Sequence, residues 1–461
     1  MACFSDTKGF VIGAVSSGMG KTGVASAICL LLKERGLSVQ PFKTGPDFID
    51  PTYLSLVSGT ACRNLDGFPC PDLMPFFYAS QCRESNAGIA IVEGAMGLYD
   101  GLGRDGLYST AWLARTLGLP VILLVDARAA ATSVAATAKG FAALEPLAPR
   151  VAGVIANRVS GASHAELIAS ALERYANLPL VGWLPEIKGE SLPSRHLGLV
   201  PAAERASSLK TVEAYANALR ERLDTDKLLA IAQKPSGDYM EPPLPPPALK
   251  SDGSPVKAAV ADDDAFCFHY RENRKLLEIL GAEVSMFSPL RGEAIPNADL
   301  LILPGGYPEI FLDALSGTDF FASVRDFAET GRVYAECGGM LCLARNMEYG
   351  GIKRDMAGVI DAEAKMTGRL ARFGYVEAEA TRGNLLTKMG ETLRAHEFHY
   401  SKLEGASPDT FSVRKSARPA ETWTDGFTRH DGRLLATYLH VNFWSCPEAA
   451  ARMLAGAAGG R

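Results

Sequence analysis

No run of apolar residues in this 461-residue chain approaches the roughly 18 that a membrane-spanning helix needs. The polar stretch from Met1 to Lys8 is too short for a secretory leader, so a cytoplasmic location is expected. Basic excess is missing too. A formal net charge of -5 offers no general footprint for nucleic acid or an anionic membrane surface, and any anionic ligand must be held by local groups. The nine cysteines are odd in number and lack metal-ligand spacing, with Cys337 and Cys342 separated by four residues rather than two. Reduced thiols are expected. No repeat of fixed period is present, and with 47% hydrophobic and 21% charged residues neither disorder nor a fibrous fold is indicated.

What is present is organised in two parts. Lys234 to Pro255 carries Pro235, Pro242, Pro243, Pro245, Pro246, Pro247 and Pro255, and so many prolines form neither a helix nor a central strand. The segment reads as an extended tether with no role beyond spacing. Two domains are therefore expected, residues 1–233 and 256–461, with a linker over 234–255. In the first, apolar runs at Phe10 to Val15, Leu37 to Phe42, Ile89 to Val92, Val121 to Val125, Val151 to Ile155 and Leu180 to Leu184 alternate with helical patterns. That alternation predicts βαβ units around a parallel sheet. The pattern restarts with Val256 to Val260, a helix from Arg271 to Leu280, and apolar runs at Val284 to Phe287 and Leu300 to Leu303. Gly358 to Glu379 and Leu434 to Phe443 alternate like strands and are expected to extend that second sheet.

The sequence Ala14-Val15-Ser16-Ser17-Gly18-Met19-Gly20-Lys21-Thr22 lies between the first strand and a helix that Gly36 closes. Glycines let successive N–H groups converge on phosphates at a helix N-terminus, Lys adds a point charge, and Ser or Thr binds Mg²⁺. Ala14 stands where the usual first glycine would be. Two further segments follow strands, Lys43-Thr44-Gly45-Pro46-Asp47-Phe48-Ile49-Asp50-Pro51 and Val92-Glu93-Gly94-Ala95-Met96-Gly97-Leu98-Tyr99-Asp100-Gly101. Strands of a parallel sheet open their carboxyl ends on one crevice, which brings Asp47, Asp50, Glu93 and Asp100 toward the phosphate loop. Hard oxygen ligands of this kind suit Mg²⁺.

In the second part, Val333 to Glu336 reads as a strand running into Cys337, and Gly338-Gly339 opens a helical stretch from Met340 to Arg345. A nucleophile on a tight strand-to-helix turn needs small neighbours, and the N–H after it, on Gly338, can stabilise an oxyanion. Gly306, in the Gly305-Gly306 pair after Leu303, is the second donor expected. His440 stands roughly a hundred residues downstream, as a spatial partner of the thiol would, and would hold thiolate ready. His396 and His399 are three apart with no third ligand in view, which favours a polar cluster near substrate over a zinc site.

The motifs SSGMGKT, FKTGPDFIDP, RNLDGF, VEGAMGLYDG and RHLGL, then LPGGYPE, ECGGM, HEFHYS and YLHVNF, together resemble the cobyrinate a,c-diamide synthase family over nearly the whole chain. The resemblance implies an α/β protein of two domains. The N-terminal one is a P-loop NTPase-like parallel-sheet amidoligase similar to dethiobiotin synthetase, and the C-terminal one is a class I glutamine amidotransferase-like glutaminase. It implies ATP and L-glutamine as cosubstrates and Mg²⁺ as cofactor, with Ser17, Gly18, Met19, Gly20, Lys21 and Thr22 on ATP. Thr22, Asp47 and Glu93 would be metal ligands, while Asp50, Asp100, Arg195 and His196 would position substrate and intermediate. It further implies a tetrapyrrole polycarboxylate as partner, amidated at the c and then the a acetate, with room for a homodimer.

Asn442 occupies the position, two after the histidine, where class I glutaminases usually place a Glu. The subgroup similarly lacks that Glu, so the thiol is expected to work as a pair with His440, and Asn442 either orients the ring or does nothing. Ser194 and Ala395 also depart from residues frequent in the family. Two other readings compete. One is the same diamidation on hydrogenobyrinate or nickel-sirohydrochlorin. The other is a nucleotide switch with a non-catalytic second domain, although such switches carry an extra lysine early in the loop, where this chain has Ser16 and Ser17.

Overall fold

Gly9–Ala14 is six residues long and buried throughout, as a strand covered on both faces must be. It is β1, the centre of a seven-stranded sheet. β2 (Val39–Thr44), β3 (Arg63–Leu65), β4 (Ile89–Glu93), β5 (Val121–Asp126), β6 (Val151–Asn157) and β7 (Leu180–Trp183) complete it. The order is β3-β2-β4-β1-β5-β6-β7, with every pairing parallel. Phe10, Ile12 and Ile91 from the strands pack with Ile28 and Leu32 of the helix Lys21–Glu34 in one core. Truncating such a side chain to Ala costs about 2–5 kcal/mol. The computed structural model describes residues 6–187, 202–236 and 241–459, so Arg195 and His196 lie outside the described residues.

The chain divides into two compact units that meet in sequence at Pro242 and Pro243. In the second unit part of the proline-rich segment is tied down: the Ala248 N–H donates to Leu280 O at 2.8 Å and Leu249 bridges Pro255. The parallel pattern then restarts with β8 (Val256–Ala261), β9 (Ala282–Phe287), β10 (Leu300–Leu303) and β11 (Arg332–Glu336). There follow β12 (Asn346–Tyr349), β13 (Ile352–Asp355), β14 (Glu363–Met366), β15 (Arg372–Ala380), β16 (Thr392–His399), β17 (Ser401–Glu404), β18 (Phe411–Lys415), β19 (Arg418–Asp425), β20 (Phe427–Arg429), β21 (Leu434–Thr437) and β22 (His440–Val441).

These later strands correct one expectation. Only β20 and β21 join the first sheet of this unit, in the order β20-β21-β11-β10-β8-β9. β14 belongs to a four-stranded sheet, β13-β12-β14-β17, and β15 to an antiparallel one, β19-β18-β15-β16-β22. β15 pairs antiparallel with β16, the next strand in sequence, whereas β14 lies between β12, parallel to it, and the later β17, antiparallel to it. The chain changes sheets between β21 and β22, and the two residues Leu439 and Tyr438 that make the passage are buried.

The eight cysteines among the described residues are free. No helix among those residues is long and apolar enough to cross a membrane.

Candidate functional site

In the first unit the loop after β1 leads into the helix Lys21–Glu34, whose N-cap is Gly20 at φ 85°. No side chain caps this helix and its first turn carries no acid, so its leading N–H groups face an open, electropositive end suited to an anion. The loop is anchored from behind. Asn157 Nδ2 donates to Met19 O at 2.9 Å and Arg158 Nη2 to Gly18 O at 3.1 Å. Lys21 is 8% exposed, and its Nζ donates to Met96 O at 2.5 Å and Ser16 O at 3.2 Å. Arg128, Arg158, His164, Pro185 and Glu186 line an adjoining cavity of ≈ 720 Å³.

β1, β4 and β2 are neighbours in the sheet, and the segments leaving their carboxyl ends gather here. Thr22 Oγ1 donates to Glu93 Oε1 at 2.7 Å, and Lys43 Nζ donates to the same oxygen at 2.8 Å. Lys43 also meets Asp50 Oδ2 at 2.5 Å and Asp47 Oδ2 at 4.0 Å. Asp47 Oδ1 accepts from the backbone N–H groups of Ile49 and Asp50 at 2.9 and 3.1 Å, which sets the start of the helix Asp50–Ser58. Asp100 is exposed, with Oδ2 accepting from Gly97 N–H at 3.0 Å.

Lys43 is the residue that sequence reasoning passed over. The signal available was a lysine directly after Pro41 and Phe42 in a strand that is buried along its whole length. Burial pulls its ammonium toward neutrality, and Asp50, Glu93 and Asp47 together overcome that pull and hold it charged. Burial lifts the Glu93 carboxyl, Lys43 opposes it and Asp50 adds to it.

The donor set fits Mg²⁺. Glu93 Oε2 is buried without a hydrogen-bond partner, beside the Thr22 hydroxyl, and Mg²⁺ commonly takes one or two protein oxygens and fills its octahedron with water and phosphate. No group of three or more His, Cys, Asp and Glu side chains among the described residues is gathered as a metal site.

In the second unit β11 ends at Glu336 and a single helical turn, Gly338–Leu341, begins directly after Cys337. This turn starts earlier and ends sooner than the stretch from Met340 to Arg345 that the sequence suggests. Cys337 itself has φ 42° and ψ -106°, a left-handed conformation that costs a non-glycine residue roughly 1–3 kcal/mol. Its N–H donates to Thr437 O at 2.7 Å, so β21 holds the turn. A Cβ on Gly338 would lie 2.5 Å from Gly306 O, so the two glycines at the turn meet backbone to backbone. The thiol is buried, and burial first, then the charge of Glu309, pushes its pKa up; the Gly338 N–H acts the other way.

His440 reaches the same place. A Cβ on Gly305 would lie 2.3 Å from His440 Cε1, and β22 pairs His440 with His396 of β16. Phe398 of that strand presents its carbonyl to Cys337 Sγ at 3.9 Å. The second residue missed by sequence reasoning is Glu336, whose Oε2 lies 3.4 Å from His440 Nδ1. Asn442 is engaged elsewhere, since its Oδ1 accepts from Trp444 N–H at 3.1 Å and caps the turn Phe443–Ser445. His399 stacks on Tyr438 with ring centroids 3.7 Å apart.

Each half of the chain matches a known family. Residues 10–200 match the CobQ/CobB/MinD/ParA nucleotide binding domain and residues 257–447 the CobB/CobQ-like glutamine amidotransferase domain. Among curated relatives, cobyrinate a,c-diamide synthase of Salmonella typhimurium is 41% identical over 97% of this chain and 98% of its own. The enzymes of that name from Streptococcus sanguinis and Listeria monocytogenes are 38% and 39% identical, over 97% and 94% of this chain and 98% and 96% of theirs. With both halves matched and relatives aligned from end to end, the chain belongs to the cobyrinate a,c-diamide synthase family, whose members are glutamine amidotransferase ligases.

Proposed function

We propose that the protein amidates the a and c acetate carboxylates of cobyrinate, using ATP to make an acyl phosphate and glutamine as the nitrogen source. The observation that carries this reading is the backbone of Cys337, a non-glycine residue held at positive φ on a strand-to-helix turn, in a chain that also bears a phosphate loop. Strain of this kind persists where it sets up chemistry. The first domain, residues 1–233, would be the amidoligase, residues 234–255 the linker, and residues 256–461 the glutaminase.

In the nucleotide unit the amides from Ser17 to Gly20, with Lys21 and Thr22, hold the phosphates of ATP, and the cavity beside Arg158 suits its base and ribose. An oxygen of the substrate carboxylate attacks the γ-phosphorus and ADP leaves. Asp50 and Asp100 orient the carboxylate and its acyl phosphate. Arg195 and His196, outside the described residues, are assigned to the tetrapyrrole by resemblance alone. Thr22, Asp47 and Glu93 would hold Mg²⁺, which when bound offsets the negative charge of the phosphates.

In the glutaminase unit His440 takes the Cys337 proton as sulfur adds to the carboxamide carbon of glutamine. The charge on oxygen faces the N–H groups of Gly306 and Gly338. Because burial raises the thiol, thiolate forms only with a base at hand. His440 returns the proton to the departing ammonia, and water releases glutamate from the thioester. Ammonia then attacks the acyl phosphate, phosphate leaves, and the amide remains.

The test is high-resolution mass spectrometry of cobyrinate, hydrogenobyrinate and nickel-sirohydrochlorin, each incubated with ATP, Mg²⁺ and glutamine. Two successive amidations of cobyrinate are expected. No mass change in cobyrinate with either glutamine or free ammonium overturns the reading.

A further inference from the structure

We propose that Glu336, the residue immediately before the nucleophile, is the positioning acid for His440 and takes the place of the Glu that class I glutaminases carry two residues after the histidine. The inference rests on the glutaminase reading of Cys337 and His440 and deepens it.

Three observations converge on this carboxylate. Its Oε2 lies 3.4 Å from His440 Nδ1, and the two side chains are 6% and 2% exposed. Its Oε1 accepts from the Tyr334 hydroxyl at 2.6 Å and from the Val441 N–H at 3.2 Å. Tyr334 is buried on the same strand, two residues back. One oxygen is thus clamped between β11 and β22, and the other lies within ion-pair distance of the imidazole. A carboxylate at Nδ1 makes that nitrogen the proton carrier, leaves Nε2 as the acceptor, and stabilises the imidazolium formed when the thiol gives up its proton.

The neighbouring groups are otherwise occupied. Asn442, at the usual position of the acid, caps the turn Phe443–Ser445 through its Oδ1. Asp425 accepts from the Thr437 hydroxyl and the Tyr438 N–H, and Glu397 accepts from Trp423 Nε1 at 3.3 Å. The ring is also braced by Gly305, which leaves no room for a Cβ beside Cε1 and Nδ1. Strand alternation explains the placement of the acid. Residues 336 and 337 would point to opposite faces of a continuing strand, but the turn at Cys337 breaks the alternation and lets the thiol and the acid serve one histidine from adjacent positions.

The experiment uses the full-length protein with Glu336→Gln, a near-isosteric change, and measures glutamine-dependent and ammonium-dependent amidation together. The kcat with glutamine is expected to fall by roughly 10²- to 10⁴-fold, with KM for glutamine little changed and ammonium-dependent turnover retained. The ¹⁵N signals of His440, assigned with His440→Gln, should move from a single Nδ1-protonated tautomer to a mixture. A kcat within a few-fold of the unmodified protein, or an unchanged His440 tautomer, overturns the proposal. If Glu336→Gln does not fold, Tyr334→Phe removes one clamp and is expected to lower kcat with glutamine by roughly tenfold; no change there overturns the proposal as well. Cys337→Ser separates the two levels. Glutamine use surviving in Cys337→Ser defeats the glutaminase reading itself, whereas its loss there beside an unimpaired Glu336→Gln defeats the role of Glu336 alone.

Discussion

Lys43 Nζ and Glu93 Oε1 lie 2.8 Å apart in the interior of the nucleotide unit, with side chains 2% and 0% exposed. A buried ion pair of this kind is weak evidence for stability taken whole, but removing one partner strands a charge. Lys43→Met should therefore destabilise the unit by about 3–5 kcal/mol and lower ammonium-dependent amidation by roughly 10²-fold or more. Adding Glu93→Gln should restore much of the stability and none of the turnover. Denaturant midpoints and ammonium-dependent rates of the single and double variants check both parts, and an additive loss of stability would contradict the pairing.

The division of labour between the two sites gives a paired prediction. Cys337→Ser should abolish glutamine use while amidation with free ammonium continues. Lys21→Ala should suppress amidation from either nitrogen source, as the proposed hold of its Nζ on the ATP phosphates requires. Rates with glutamine and with ammonium, compared for the two variants, decide this; ammonium that fails to rescue folded, ATP-binding Cys337→Ser would count against it.

His399 predicts an acid-labile second unit. Burial lowers its pKa from the ordinary 6.5 to about 4, with the Ser401 carbonyl opposing and Arg372 and His440 adding to the effect. Between those two values the unfolded chain binds more protons than the folded one, so stability rises with pH there and is lost on acidification. The full loss, reached below pH 4, is about 3 kcal/mol. His399→Phe, which keeps a ring against Tyr438, should flatten this limb. Denaturant midpoints at pH 7 and pH 5 measure it, and an equally steep fall in the variant would assign the acid lability elsewhere.

Asn442→Ala should cost about 1 kcal/mol of stability, the worth of a helix cap, and leave glutamine-dependent kcat within a few-fold of its starting value. Steady-state kinetics beside thermal unfolding will show whether the effect follows the fold or the chemistry. A loss as deep as that from His440→Ala would make Asn442 an obligatory member of the site.

The phosphate loop was legible in the sequence because its parts are contiguous: the glycines, Lys21 and Thr22 lie in one turn between a strand and a helix. Gly36, at φ 82°, closes that helix by local rules as well. Lys43 and Glu336 were not legible as site residues, for a common reason. Each acts through a partner brought close by strand order, Glu93 across the β2–β4 pair and His440 across the step from β21 to β22. Residue spacing carries no information about such neighbours. The strands after Gly358 show the same limit in another form, since a period of two identifies a strand and leaves its partner open. Asn442, whose role the sequence left open, spends its oxygen on the backbone of Trp444.

The two-residue strand β22 also bears on the order of events during synthesis. Cys337 leaves the ribosome about a hundred residues ahead of His440, and at the usual rates of elongation that is a delay of several seconds. Through that interval the turn at Cys337 lacks the β21 carbonyl, on Thr437, that accepts from its N–H, and His440 has yet to be made. A chain stopped before β21 and β22 would therefore hold Cys337 without either Thr437 or His440 beside it.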